Sequence, residues 1–287
     1  MKLKKITITI LMLSITLLAK TNIIVTVAPQ KIFVEKIGGE FVNVNVMVPI
    51  GADPHSYEPT PLQMVAISKA NIYMKIELEE FEKPWLSKLS AQNRDMKIEN
   101  IAKNANHINF ENEHHNEHED EHHHGSEDPH IWTSPKEVKN IAKNILNILI
   151  NYDKKNENIY KLNYEKFLNE IEYTDKKIRE ILKDIPKNSK IMVFHPAFGY
   201  FARDYNLIQF AIEFEGKKPK PKMLAYMIRE AKEDGIKTII TEPEFSDKSA
   251  KVIANEVGAK VKAISPLSPN WSENLIELAK TIKSSYN

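Results

Sequence analysis

A chain of 287 residues, 42% hydrophobic and 28% charged, is long enough to bury the cores of two medium domains and has the make-up of an ordinary soluble protein. Its formal charge of +1 supplies no basic excess for nucleic acid or another polyanion. With no cysteine it has no disulfide, no thiolate ligand and no thiol to carry a lipid at a processed N-terminus, so packing must supply its stability.

The first residues address the compartment. Met1-Lys2-Leu3-Lys4-Lys5 is basic and leads into an apolar run from Ile6 to Leu18 that ends at Ala19, the layout of a secretory signal peptide over residues 1–19. The run is shorter than the roughly 20 residues that a membrane span needs; an uncleaved anchor is the alternative. Cleavage removes three lysines and no acid and takes the net charge to −2. The expected product is a free, monomeric periplasmic protein without a lipid anchor.

After this leader, Ile23 to Val27 is a β-branched run stopped by Pro29. Gln30 to Ile37 reads as a helix closed by Gly38-Gly39, and Phe41 to Val48 alternates as a half-buried strand does. The pattern continues with a helix over Pro61 to Ala70, a strand over Ile72 to Ile76 and a helix through Phe81, Trp85 and Leu89. Strands alternating with helices predict a parallel sheet with crossover helices, here an N-terminal α/β lobe over residues 20–150. Within it, residues 104–128 are almost entirely His, Glu, Asp and Asn. Such a tract has too little apolar surface to offset ordering entropy and is expected to be a mobile loop.

From Lys136 to about Asp184 apolar residues recur at helical spacing, with a break at Asn151-Tyr152-Asp153. The second helix, within residues 151–185, would run about 28 residues or near 40 Å, a rod able to brace two lobes. Beyond Pro186 the alternation returns. Lys190 to Phe194, Leu207 to Ile212, Thr238 to Thr241 and Lys260 to Ile264 are the strand candidates, and Pro221 to Asp234, Ser246 to Val257 and Ser272 to Ser284 the helices. Serines suited to N-capping open the last two. Residues 186–287 thus predict a second α/β lobe. The first strand leads into Val27-Ala28-Pro29-Gln30, which lacks the glycines of a phosphate loop, so nucleotide binding is not expected.

All ten histidines fall into two groups. Three stand beside prolines, in Asp53-Pro54-His55, Asp128-Pro129-His130 and His195-Pro196; the other seven are His107, His114, His115, His118, His122, His123 and His124 in the acidic tract. Imidazole suits zinc and its transition-metal neighbours. Proline fixes φ, so a flanking imidazole has less backbone freedom to lose on binding a cation. Three such rings at about 2.0–2.1 Å would fill three corners of a tetrahedral zinc site. Taken singly, each is more often a hydrogen-bonded turn residue than a ligand, and spacings this long form no local metal motif; what favours a shared site is that no histidine lies outside the three motifs and the tract. The tract has two readings as well, a solvated linker or a loose auxiliary zinc store that weakens as its histidines protonate below about pH 6.5. The aromatic residues Trp132, Phe194, Phe198, Tyr200 and Phe201 around the motifs read as core.

Over nearly the whole mature length the chain resembles the periplasmic solute-binding proteins of zinc and manganese ABC importers. The resemblance rests on 51–59 (Gly-Ala-Asp-Pro-His-Ser-Tyr-Glu-Pro), 128–132 (Asp-Pro-His-Ile-Trp), 194–201 (Phe-His-Pro-Ala-Phe-Gly-Tyr-Phe), 241–246 (Thr-Glu-Pro-Glu-Phe-Ser) and Pro266-Leu267. It implies two Rossmann-like lobes, each a parallel sheet flanked by helices, joined by one long helix, with His55, His130 and His195 holding Zn2+ in the interlobe cleft as cargo for a membrane permease. The histidine-rich insertion is similar to that of zinc-type members, and manganese prefers more oxygen donors. The match departs at the fourth ligand: many relatives have an aspartate where this chain has Ser265, and some zinc members a glutamate where it has Pro54. Water, or a side chain from the tract, is left to complete the tetrahedron. Glu58 and Glu242 are candidates for orienting an imidazole, or for structural caps. A secreted zinc hydrolase is the rival from another class, but no His-Glu-x-x-His helix is present; no enzyme is expected.

Overall fold

The structure, a computed structural model, describes residues 20–109, 127–213 and 219–286. The expected leader and six of the tract histidines, His114, His115, His118, His122, His123 and His124, lie outside the described residues. In the N-terminal lobe, β1 (Thr21–Val25), α1 (Ala28–Gly38), β2 (Val42–Val46), α2 (Pro61–Ser68), β3 (Ile72–Lys75), α3 (Glu79–Gln92) and β4 (Lys97–Asn100) follow one another. All strand pairs are parallel, in the order β2-β1-β3-β4. Ile23 pairs with Val44 on one side and Ile72 on the other, and because α-helices cover both faces the central strands are apolar without alternation. Pro29, expected to stop the strand, sits in the first turn of α1, where its missing N–H costs nothing.

Two helices follow, α4 (Pro135–Tyr152) and α5 (Glu157–Leu182). The latter has 26 residues, about 39 Å at 1.5 Å per residue, and joins the lobes. It buries Tyr160, Phe167, Ile171, Ile178 and Leu182 against α1, α4 and the terminal helix α9 (Trp271–Tyr286). The C-terminal lobe repeats the first with β5 (Ser189–Val193), α6 (Gly199–Asp204), β6 (Leu207–Ala211), α7 (Pro221–Glu233), β7 (Thr238–Thr241), α8 (Lys248–Val257) and β8 (Lys260–Ala263). Its parallel order, β6-β5-β7-β8, is that of the first lobe. In such open sheets ligands bind beyond the carboxyl ends of the strands.

Two elements had no expectation. β4 is mostly exposed and shows no alternation, and α6 has only six residues. The serine caps are corrected: Asp247, not Ser246, precedes α8 and makes no side-chain cap, while Ser272 lies inside α9, buried, with its hydroxyl 2.6 Å from that of Thr174 on α5. A buried hydroxyl with a partner in a facing helix has no reason to turn back on its own backbone.

The lobes share their interior. One continuous apolar core runs from Ile23 and Phe33 through Trp132 and Phe167 to Trp271 and Ile282. The Trp132 indole donates to the carbonyl of Pro266 at 2.8 Å, and Trp271 donates to that of Trp132 at 2.6 Å. The Trp271 ring meets Phe33 edge-on at 5.6 Å. A smaller core around Met192, Phe194, Phe210 and Ile253 lies in the C-terminal lobe. No helix among the described residues is long and apolar enough to cross a membrane.

Candidate metal centre

His55 and His130 are set by the same device. Asp53 Oδ1 accepts the His55 main-chain N–H at 2.9 Å, and Asp128 Oδ1 accepts that of His130 at 2.8 Å. Each is an Asx-type turn in which the aspartate substitutes for backbone and the intervening proline removes a torsional freedom. The first turn lies in the loop between β2 and α2. That loop is fastened by Gln63, whose carboxamide oxygen accepts the Tyr57 hydroxyl at 2.9 Å. The second turn leads into the single helical turn Ile131–Thr133 before α4. His195 follows β5, where Glu242, just beyond β7, accepts its main-chain N–H at 2.9 Å.

Two rings have their proton placed by a buried carboxylate. Nδ1 of His130 is 2.7 Å from Asp128 Oδ1 and Nδ1 of His195 is 2.6 Å from Glu213 Oε2. A carboxylate only accepts, so Nδ1 carries the hydrogen and the Nε2 lone pair is left for a cation, the arrangement that metal-binding imidazoles use. In His195 this Nε2 is buried with no hydrogen-bond partner. Burial pushes the His195 imidazole down to about 4; the His130 and His55 rings act in the same direction against Glu213. The ring is therefore neutral at ordinary pH and presents its lone pair without first losing a proton.

The His195 ring centroid lies 5.1 Å from that of His55 and 5.2 Å from that of His130. Imidazoles bound at tetrahedral angles and about 2.0–2.1 Å from one zinc ion have centroids roughly 5 Å apart. Among the described residues no three His, Asp or Glu side chains are gathered closely enough to hold a metal ion as they stand; His195 stands between two neighbouring rings. His130 and His195 are 4% and 2% exposed, whereas His55 is half-buried and marks the mouth. Phe245 stacks on His195 at 4.2 Å and Trp132 meets His130 at 5.3 Å. These walls exclude water and lower the local dielectric, which strengthens a charge's interaction with its ligands.

Of the two carboxylates expected to orient a ring, Glu242 engages the backbone of His195 and Glu58 is exposed. The His130 and His195 rings are held instead by Asp128 and Glu213. Sequence reading missed Glu213, although it lies two residues beyond β6, at the carboxyl ends of the strands where ligand residues collect. His107 lies elsewhere, with Nε2 3.2 Å from Glu77 and Nδ1 3.7 Å from Glu127. Ser265 donates its hydroxyl to Glu244. Burial pushes the carboxyls of both Glu242 and Glu244 up.

Gly199 backs this arrangement. A β-carbon there would lie 2.6 Å from Asp128 Oδ2 and 3.1 Å from Ile108 Cδ1. The Asp128 carboxylate cannot retreat without releasing His130. Gly199→Ala is therefore expected to weaken metal binding roughly 10- to 100-fold, as loss of a ring-orienting carboxylate does, while melting of the metal-free protein shifts little; calorimetric titration of zinc beside a melting curve checks both.

The family model ZnuA, described as zinc-uptake complex component A, periplasmic, matches residues 23–285. The chain is 30% identical over 253 residues to the high-affinity zinc uptake system protein ZnuA of Bacillus subtilis, covering 86% of this chain and 79% of the relative. A crystal structure of ZnuA superposes with a TM-score of 0.85 at 40% identity, covering 93% of this chain and all of that one. A zinc-bound deletion mutant of ZnuA superposes at 0.84, again with 40% identity, covering 93% and 98%.

Proposed function

The chain belongs to the zinc-uptake complex component A family, and from that premise we propose that it captures zinc outside the cytoplasmic membrane and hands it to the permease of an ABC importer. His55, His130 and His195 are its ligands in the cleft between the lobes. The observation that carries this reading is the buried, unpartnered Nε2 of His195 with a second imidazole on either side. A buried polar atom without a partner costs stability, and a lone pair flanked by two more imidazoles is satisfied by a cation. Imidazole donors favour zinc over manganese, whose affinity for such sites stands lower in the divalent series.

In this reading residues 1–19 are a cleaved leader to the periplasm. Residues 20–150 and 186–287 are the lobes, residues 151–185 their link, and the mature protein works as a monomer. No chemical step is needed: Asp128 and Glu213 are each engaged with an imidazole, so their role is to aim ligands. The tract histidines, from His107 to His124, form an auxiliary store of weak zinc.

Titration of zinc into metal-stripped protein tests the proposal. One tight site and additional weak equivalents are expected, with manganese at equal concentration unable to displace the tight zinc. The deletion should span residues 110–126, because Asn106 and Ile108 at the tract's base are fastened to Arg203 and Tyr200. It removes the weak equivalents and leaves the tight one. A deletion protein without tight zinc would overturn this division of labour.

A further inference from the structure

His195 and Tyr200 belong to one short segment. It leaves β5, turns as the Ala197 N–H donates to the His195 carbonyl at 2.8 Å, and is pinned where Gln209 Oε1, on β6, accepts the Phe198 N–H at 2.6 Å. Tyr200 then enters the first turn of α6, fully buried. The chain that carries one ligand thus presents, five residues later, a phenol that reaches across to the other lobe.

The Tyr200 hydroxyl donates to the main-chain carbonyl of Asp128 at 2.7 Å and accepts the Ile108 N–H at 3.4 Å. Asp128 and Ile108 are themselves joined, N–H to carbonyl, at 2.8 Å. Burial, and next the Asp128 carboxylate, push the Tyr200 phenol up, so the group keeps its proton and stays a donor. Its ring lies 5.0 Å from the Arg203 guanidinium, which is tied in turn to Glu137 of α4.

Asp128 passes this contact on to a ligand. Its Oδ1 holds both the main-chain N–H and Nδ1 of His130, at 2.8 and 2.7 Å, so a shift of the Asp128 backbone moves the His130 ring. The turn fixes the shape of that unit and not its distance from His195, which belongs to the other lobe. The Tyr200 bond supplies that distance, and with direction, because a hydrogen bond weakens steeply when misaligned.

We infer that Tyr200 is a positioning residue for zinc capture: its hydroxyl sets the Asp128-Pro129-His130 turn at the separation from His195 that lets the two imidazoles share one ion. This rests on the three-histidine reading above. It gives the task of bringing the lobes' donors into register to a phenol that never touches the metal.

A double-mutant cycle tests it, with the tight zinc affinity of the full chain measured for Tyr200→Phe, His130→Ala and both together. Tyr200→Phe keeps the ring and loses only the hydroxyl; affinity should fall roughly 10-fold, the low end of what loss of a ring-orienting partner costs. Because Tyr200 acts through His130, the same change in the His130→Ala background should cost under about 2-fold. Tyr205→Phe is the control: that hydroxyl donates to Asp175 on α5 at 2.9 Å, and its loss should leave affinity unchanged. One equivalent of cobalt gives a second readout, a visible spectrum that shifts in Tyr200→Phe and not in Tyr205→Phe. Parental affinity or an unshifted cobalt spectrum in Tyr200→Phe, an equal loss in both backgrounds, or a loss matched by Tyr205→Phe overturns the inference and leaves the three histidines standing. Parental affinity in His130→Ala overturns the underlying reading instead.

Discussion

Replacing His195 with alanine is expected to weaken zinc binding roughly 100-fold while the metal-free protein still folds. Structural zinc sites are worth about 10–16 kcal/mol over four ligands, so one lost ligand costs about 3 kcal/mol or roughly 100-fold in affinity. His195 is the severest single loss because its ring neighbours both other imidazoles, at 5.1 and 5.2 Å, and its departure also leaves Glu213 without its ring partner. A melting comparison supplies a second measurement. Zinc at 1,000 times its Kd stabilises the parent by about 4 kcal/mol through mass action, and at the same concentration should barely move the variant. If His195→Ala retained parental affinity, the lone-pair argument would fail with it.

Arg203→Ala is expected to be the most damaging substitution for stability outside the cleft. The Arg203 guanidinium is 2.8 Å from Glu137 Oε1 and 2.8 Å from Asp204 Oδ1, and it donates to the carbonyl of Asn106 at 2.7 Å. Glu137, in the first turn of α4, has a fully buried side chain. The contact joins α6 of one lobe to the helix that leaves the other. Among the described residues, removing the cation leaves the buried Glu137 carboxylate with only the Asn106 N–H and the Asn140 amide, both on Oε2, which costs about 3 kcal/mol, a drop of roughly 10 °C in Tm for a chain of this size. The double variant Arg203→Ala/Glu137→Gln should recover part of the loss, because no uncompensated charge remains. Thermal and urea unfolding of the metal-free proteins measure this; a loss under about 1 kcal/mol would class the pair with ordinary surface bridges.

The alternation of apolar runs with amphipathic stretches made both parallel sheets and the long helix legible, because buried central strands such as Ile23-Ile24-Val25 and Met192-Val193 have few other uses. β4 was not legible: Lys97, Ile98 and Glu99 are exposed, and backbone pairing with β3 defines the strand. The proline-flanked histidines stood out through composition, since every other histidine sits in one tract. The residues that orient them did not. Glu213 is 18 positions from His195 and Trp132 is 134 from Pro266, separations that only the folded topology closes.

The continuous interior beneath the two halves has a mechanical consequence. Prising them apart would bring Trp132 and Trp271 into water, two rings of about 200 Å² each at about 25 cal/mol per Å², a cost of roughly 10 kcal/mol and comparable to the whole stability of many domains. The two halves therefore cannot swing widely apart as rigid bodies. The cheaper movement belongs to the segment between β2 and α2, whose start is seated in the core through Met47 and Val48 but whose half-buried His55 is held by the Asp53 turn. In the proposed role, release of the cargo would begin at that turn.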